Sequence, residues 1–177
     1  ATLRRNYPPG MHGASGSRSK PSDFSKQLRE KQKARRIFGI SEKQMQHYYL
    51  KATTSAEVSG EELIRQMEQR FDNIVFRSGF ASTRRQARQM VAHGLFTVNG
   101  NRVNIPSMVL KSGDIFEVRA KTKKTPLFAE FDKKKLIVPK WIKVDQANVS
   151  GQIIDKIAAD DLEGSIDSQI IIEFYSR

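Results

Sequence analysis

RFDNIVFRSGFASTRRQARQMVAHGLFTVNGNRVNIPS, residues 70–107, places the end of one helix, a second helix and a hairpin in close succession. Phe71, Ile74 and Val75 continue an apolar stripe begun by Leu63 and Met67, at the three- and four-residue spacing of a single helical face. Asp72-Asn73 marks a point where that run can kink or be capped afresh, and Gly79 ends it. A shorter helix is expected from Thr83 to about Ala92, capped by Ser82 or Thr83 and stopped at Gly94. Phe96-Thr97-Val98 reads as a strand, Asn99-Gly100 is a strong two-residue hairpin signal, and Arg102-Val103 begins the return strand.

On the shorter helix each residue turns by about 100 degrees, so Arg84, Arg88, Arg85 and Gln89 share an arc of roughly 140 degrees. Ala87, Met90 and Val91 lie on the other side and form a core face. A guanidinium face suits phosphate, because the planar fork makes bidentate hydrogen bonds to it. Arginines on a helix can also do no more than solvate an exposed surface. The balance tips toward a ligand because residues 73–113 contain no Asp or Glu, whereas an ordinary solvated face mixes signs. His93 stands at the exit of this helix.

Upstream, residues 1–21 are rich in Gly, Pro and Ser, without an apolar period, and read as an extended basic arm. Ser22 or Asp23 can cap a helix running to about Ile37, and Gly39 ends it. A second helix from Ser41 carries Met45, Tyr48, Tyr49 and Ala52 on one side. Ser59-Gly60-Glu61-Glu62 has the spacing of a capping box at the head of the long apolar stripe. Downstream, Ser112-Gly113-Asp114 is a turn into the alternating Ile115–Arg119, and Trp141–Val144 and Gln152–Ile154 supply further strands. Residues 170–175, IIIEFY, fit either a buried strand or a short helix capped by Asp167.

The chain has 177 residues, of which 38% are hydrophobic, enough for one large domain or two small ones. Its 31 Lys and Arg against 19 Asp and Glu give a formal net charge of +12, which attracts polyanions. The charge is unevenly placed. Residues 1–36 carry a net +8, 70–93 a net +4 and 120–143 a net +6, while 144–177 carry −5. Each basic block adjoins foldable apolar sequence, which favours several patches converging on one polyanion. Lys133-Lys134-Lys135 fits a solvated run as well as a phosphate contact.

The composition also excludes. Without cysteine there is no disulfide and no thiolate metal site within these residues. Three dispersed histidines without HExxH spacing predict no metal, and neither GxSxG nor GxxxxGK[ST] is present to suggest a hydrolase or a phosphate-binding loop. No run approaches the roughly 20 apolar residues of a membrane span. Aromatics are scattered and make up 8%, which favours recognition of RNA shape and backbone over stacking on single strands. Trp141 is expected to anchor a core or an interface, and His47 to be an ordinary surface or core residue.

Residues 70–107 resemble the RNA-binding module named after small ribosomal subunit protein four. The matching positions include Asp72, Asn73, Arg77, Gly79, Ser82, Arg84, Arg85, Ala87, Arg88, Gln89, Val91, His93, Val98, Asn99 and Gly100. Some pseudouridine synthases, some aminoacyl-tRNA synthetases and a small heat-shock protein of stalled ribosomes also carry this module. The flanks favour the ribosomal family: YPPGMHG at 7–13, QLREKQKARRIFGISEKQ at 27–44 and EFYSR at 173–177 all resemble it.

That resemblance implies an α+β fold. A mostly helical domain, 22–58 plus 146–177, is built from the N-terminal part and the C-terminal tail. An inserted α/β module, 59–145, sets a helix pair on a small antiparallel sheet, with the RNA-binding motif at 70–133. The acidic tail is expected to pack near the basic N-terminal helices and relieve their repulsion.

The implied function is that of a structural constituent of the small ribosomal subunit. Such a protein is a primary ribosomal RNA binder that nucleates assembly of the subunit body and contributes to decoding accuracy on cytoplasmic ribosomes. Proteins five and three would be its neighbours, with no enzyme activity, cofactor, metal, membrane or small-molecule substrate. A free RNA-binding factor and an adaptor domain of an RNA-modifying enzyme are the alternatives. The expected RNA-binding residues are Arg4, Arg5, His12, Arg29, Lys31, Lys33, Arg35, Arg36, Arg77, Ser82, Arg84, Arg85, Arg88, Gln89, His93, Asn99 and Arg102. Two departures from the family pattern stand out. Many bacterial members begin with a further cysteine-bearing zinc module, and position 71 is Phe where Leu is usual.

Overall fold

Helix α1, Asp23–Phe38, starts at Ser22, whose hydroxyl accepts from the Ser25 amide, and ends at Gly39 in the left-handed region (φ 63°). Helix α2, Glu42–Thr53, opens on a full capping box, in which Ser41 and Gln44 each satisfy the other's backbone amide. In this computed structural model the described residues are 4, 5, 7, 10, 11, 13, 20–55, 58–128, 131 and 137–176. The box expected at Ser59 does not form. Helix α3, Ser59–Glu68, begins one residue early on Val58, so Ser59 is already helical, and Glu61 and Glu62 pair with Arg65 instead.

The long stripe then divides. Arg70 takes an extended conformation (φ −65°, ψ 140°) and starts a separate helix, α4, Phe71–Arg77. The first amides of α4 bond outside the helix, Phe71 N–H to Met108 O at 2.8 Å and Asp72 N–H to Pro106 O at 3.0 Å. The break lies two residues before the Asp72-Asn73 pair that marks it in the sequence. Helix α5, Arg84–Ala92, is capped by Thr83, whose hydroxyl accepts from the Gln86 amide.

Strands β1, Phe96–Val98, β2, Asn101–Val103, β3, Ile115–Val118, β4, Ile142–Asp145, and β5, Ser150–Ile153, form one antiparallel sheet in the order β2-β1-β3-β5-β4. Asn99 and Gly100 both have positive φ (48° and 81°), as a type I′ hairpin turn requires. A short helix α6, Ala120–Lys123, follows β3. A 3-10 turn at Ala159–Asp161 leads to helix α7, Ser168–Tyr175, capped by Asp167. The ambiguous stretch at 170–175 is therefore helical.

Two cores result. The first gathers Phe71, Ile74, Phe80, Val91, Phe96, Phe116, Phe131, Trp141 and Ile157 between α4, α5 and the sheet. The second gathers Ala34, Phe38, Met45, Leu63, Met67, Ile166 and Ile171 among α1, α2, α3 and α7. An α/β module thus interrupts a helical unit, but its limits differ from those expected. Leu63 and Met67 join the helical core, while β5 completes the sheet and Ile157 fills the module core. The boundaries fall near Gln69 and Ile157 rather than 58/59 and 145/146, because apolar contacts rather than sequence periodicity decide membership. Leu162 packs against both cores, and Arg65 Nε donates to Ile157 O across the junction (3.2 Å).

Candidate nucleic-acid interface

Helix α5 lies on the seam between the two units, and its arginines divide the work. Arg84 turns inward. Its Nε donates to Asn73 Oδ1 (2.8 Å), another guanidinium nitrogen meets Glu163 Oε2 at 2.6 Å, and its plane lies near the rings of Phe76 and Phe38. Arg77 joins the same cluster, 2.5 Å from the fully buried Glu68 and 3.4 Å from Glu163. Arg88 donates to the Gly39 carbonyl at the end of α1 (2.9 Å) and stands 3.8 Å from Asp72. The acid-free run of residues 73–113 is therefore opposed in space. Glu68 and Glu163 come from outside it, which local composition could not reveal.

What remains open is a stripe. Arg85, Gln89 and His93, four residues apart, are all exposed along α5. At one end Arg36 of α1 joins Ser82, Thr83, Arg84 and Arg85 around an open cleft of about 400 Å³. At the other end Arg102 of β2 lies over Gly94, so close that a Cβ there would sit 2.7 Å from Nε. Asn99 is exposed but committed, donating to Asp114 Oδ1 and accepting from the Ile115 amide.

The other expected site residues scatter. Lys31 is buried against Glu42 (2.8 Å) beneath the ring of Phe174, and Arg35 reaches the same carboxylate (2.8 Å). Lys33 bonds Glu30 and the Ser165 carbonyl. Arg29, Arg4 and Arg5 are exposed. His12 and Lys133-Lys134-Lys135 lie outside the described residues. The acidic tail does pack on α1, through apolar and aromatic side chains and through hydrogen bonds from Gln27 to Glu173, from Lys33 to the Ser165 carbonyl and from the Asp167 amide to Glu30. Glu42 of α2 neutralises Lys31 and Arg35, while Glu163 of the tail is spent on the module's arginines.

Residues 1–68 match the model of the ribosomal protein S4/S9 N-terminal domain, and residues 69–116 match the S4 domain. The small ribosomal subunit protein uS4 of Syntrophomonas wolfei is 44% identical over 176 residues, covering 98% of this chain and 84% of that protein. The chain belongs to the uS4 family. Its similarity to uS4 of Persephonella marina is 45% over 180 residues, covering 99% of this chain and 88% of that protein. The two matched domains meet at residues 68 and 69, where the uS4 fold here passes from α3 to α4.

Glu163, the acid that ties the two uS4 units together, has no sequence signature. Burial opposes its ionisation, but hydrogen bonds from Arg84 and Ser165 and the charges of Arg84 and Arg77 outweigh that, so its pKa lies below the ordinary glutamate value of 4.5. Glu42 is lowered in the same way, burial being outweighed by Lys31, Tyr175 and Arg35. A carboxylate with a depressed folded pKa binds fewer protons folded than unfolded. Its stabilisation is complete above pH 4.5 and drains away as pH falls through the lower folded value. Melting temperature should therefore drop on acidification below pH 4.5, and Glu163→Gln should flatten part of that drop. An identical acid profile for the variant would show that Glu163 does not contribute.

Proposed function

We propose that this chain is a structural constituent of the small ribosomal subunit that binds small-subunit ribosomal RNA through the open face of α5, without enzymatic activity or a cofactor. The observation that carries the reading is the exposed stripe of Arg85, Gln89 and His93, flanked by Arg36 and Arg102, with no acidic partner for the three arginines among the described residues. Three guanidinium groups from α1, α5 and β2 along one face suit the bidentate recognition of backbone phosphate. Arg84, Arg88 and Arg77 hold that face in place by bridging it to the helical unit, the Ser82 amide donates to Gln86 of α5, and Asn99 anchors the hairpin that carries Arg102. Arg29, Arg4, Arg5 and His12 would extend the contact toward the N-terminal arm.

A protein that grips folded RNA with both units can fix the angle between RNA helices. On that ground we assign it nucleation of the subunit body during assembly and a contribution to decoding accuracy, beside proteins five and three on cytoplasmic ribosomes. The extent of the family match, 98% of this chain to small-subunit proteins, favours this reading over a free RNA-binding factor or an enzyme's adaptor domain.

Arg85→Ala with Arg102→Ala tests it, because neither residue carries an internal ion pair among the described residues. Each lost phosphate contact should lower the slope of log affinity against log salt by about 1. The double variant's slope for a small-subunit RNA fragment should fall by about 2 with an unchanged melting temperature. An unaltered slope would remove α5 from the interface. Arg84 and Arg88 are poorer probes, since their loss also loosens the seam.

A further inference from the structure

Helix α2 carries cations that the α5 face does not use. Lys43, His47 and Lys51 recur every four residues and are all exposed, so they form one row with a rise of about 6 Å between neighbours. The row forms one wall of an open groove of about 390 Å³, with Ser107 and Val109 opposite and Tyr48 between them. Among the described residues neither lysine has an acidic partner. The only acid of α2, Glu42, is turned away and taken up by Lys31, Arg35 and Tyr175. A solvated helix face would mix signs, and this row does not.

The groove is also joined to the α5 face. Arg88 reaches both the Gly39 carbonyl and Asp72, Asp72 holds the buried Arg70, and Arg70 donates to the Tyr48 hydroxyl (2.9 Å) on the groove. Along the chain, Arg36 of the first cleft is separated from Lys43 by six residues, across the end of α1, the turn through Gly39 and Ile40 and the start of α2. Two basic clefts thus lie on one seam, with Arg88 between them.

We infer that the groove between α2 and the 105–109 loop is a second phosphate track, in which Lys43, His47 and Lys51 hold the sugar–phosphate backbone of the same folded RNA. The inference rests on the reading of α5 as an RNA-binding face. Two lysines about 12 Å apart along one wall, with the His47 imidazole between them as a hydrogen-bonding group, suit the phosphates of a strand, the Ser107 hydroxyl supplies a hydrogen bond opposite them, and the apolar surface of Tyr48 and Val109 suits the sugars. RNA gripped in both clefts would span the helical unit and the module together.

The test compares Lys43→Ala/Lys51→Ala with a matched pair, Lys143→Ala/Lys156→Ala, which removes two exposed lysines from β4 and the linker after β5. Removal of two phosphate contacts should lower the salt slope for a small-subunit RNA fragment by about 1.5 to 2 and weaken binding roughly tenfold or more at physiological salt. The matched pair should change neither. Since the chain has no cysteine, His47→Cys carries a single photo-crosslinker, which should capture the RNA, while Lys143→Cys should not. An unchanged slope together with no crosslink at position 47 overturns the inference. Weakened retention on polyglutamate with an unchanged RNA slope also overturns it, by making the groove a site for an acidic protein. If Arg85 and Arg102 matter while α2 does not, only this inference falls. If the unaltered chain does not bind the RNA, both readings fall.

Discussion

Asp72→Ala should lower the stability of the folded chain by about 3–5 kcal/mol in urea unfolding, far more than the loss of a surface ion pair. Arg70 is fully buried, and its guanidinium is clamped by both oxygens of Asp72 at 3.0 and 2.8 Å. Without the carboxylate a buried positive charge keeps, among the described residues, the Tyr48 hydroxyl at 2.9 Å. The side chain cannot swing into water, because the backbone at Arg70 is tied down as the start of α4 and bridged to Val109. Asp72 also sits in the first turn of α4, where a negative charge is favourable. Asp23→Ala is the useful contrast. Its pair with Lys26 leaves both side chains exposed, 81% and 50%, so water can take over much of its role. Replacing Arg70 and Asp72 together by apolar residues of similar volume should cost much less than Asp72→Ala alone, since no unpaired charge remains. Equal losses in the two variants would show that shape rather than charge sets the cost.

The same cluster shows why parts of this molecule were legible in the sequence and others were not. Local rules carried the helices and the hairpin. Ser22, Ser41, Thr83 and Asp167 cap as their types predict, and Asn99-Gly100 turns as its positive φ values demand. The division between α3 and α4 escaped, because the apolar spacing from Leu63 to Val75 stays in phase across it. Only the partners differ, Met45 and Ile171 on one side, Phe96 and Phe116 on the other. Charge misled for a similar reason. Arg77 and Arg84 look unopposed in sequence, yet Glu163 lies 86 and 79 residues away along the chain and beside them in space. A basic stretch read along the chain therefore overstates the number of cations free for a ligand. The open ones are those that point away from the seam.

Phe80→Ala should unfold both units in one transition, whereas Leu63→Ala should loosen the helical unit and leave the module protected. Phe80 is 1% exposed and stacks on Phe131 (4.5 Å) while meeting Phe96 and Phe116 edge-on (5.8 Å each). Truncating it leaves a ring-sized cavity in the module core and should cost about 3–5 kcal/mol. Of the ion pairs on the seam, Arg84–Glu163 is partly exposed (21% each) and adds little, while Arg77 on the fully buried Glu68 adds more. Topology makes the coupling directional. The folded module holds its two ends together, with Arg65 bonded to Ile157, and so delivers α7 to α1 and α3. Once the module unfolds, the helical unit must close a loop of about 90 residues by itself, an entropic cost on the order of 4 kcal/mol. The converse does not hold, because the helical segments are appendages of a module whose chain is continuous from Arg70 to Ile157. Hydrogen exchange in mild denaturant can read both. In Phe80→Ala the amides of α1 and α7 should lose protection together with those of β1 and β3. In Leu63→Ala those of β1 and β3 should stay protected after α1 and α7 exchange. Helical amides that outlast the module in Phe80→Ala would mean that the two units are held together by the seam or not at all.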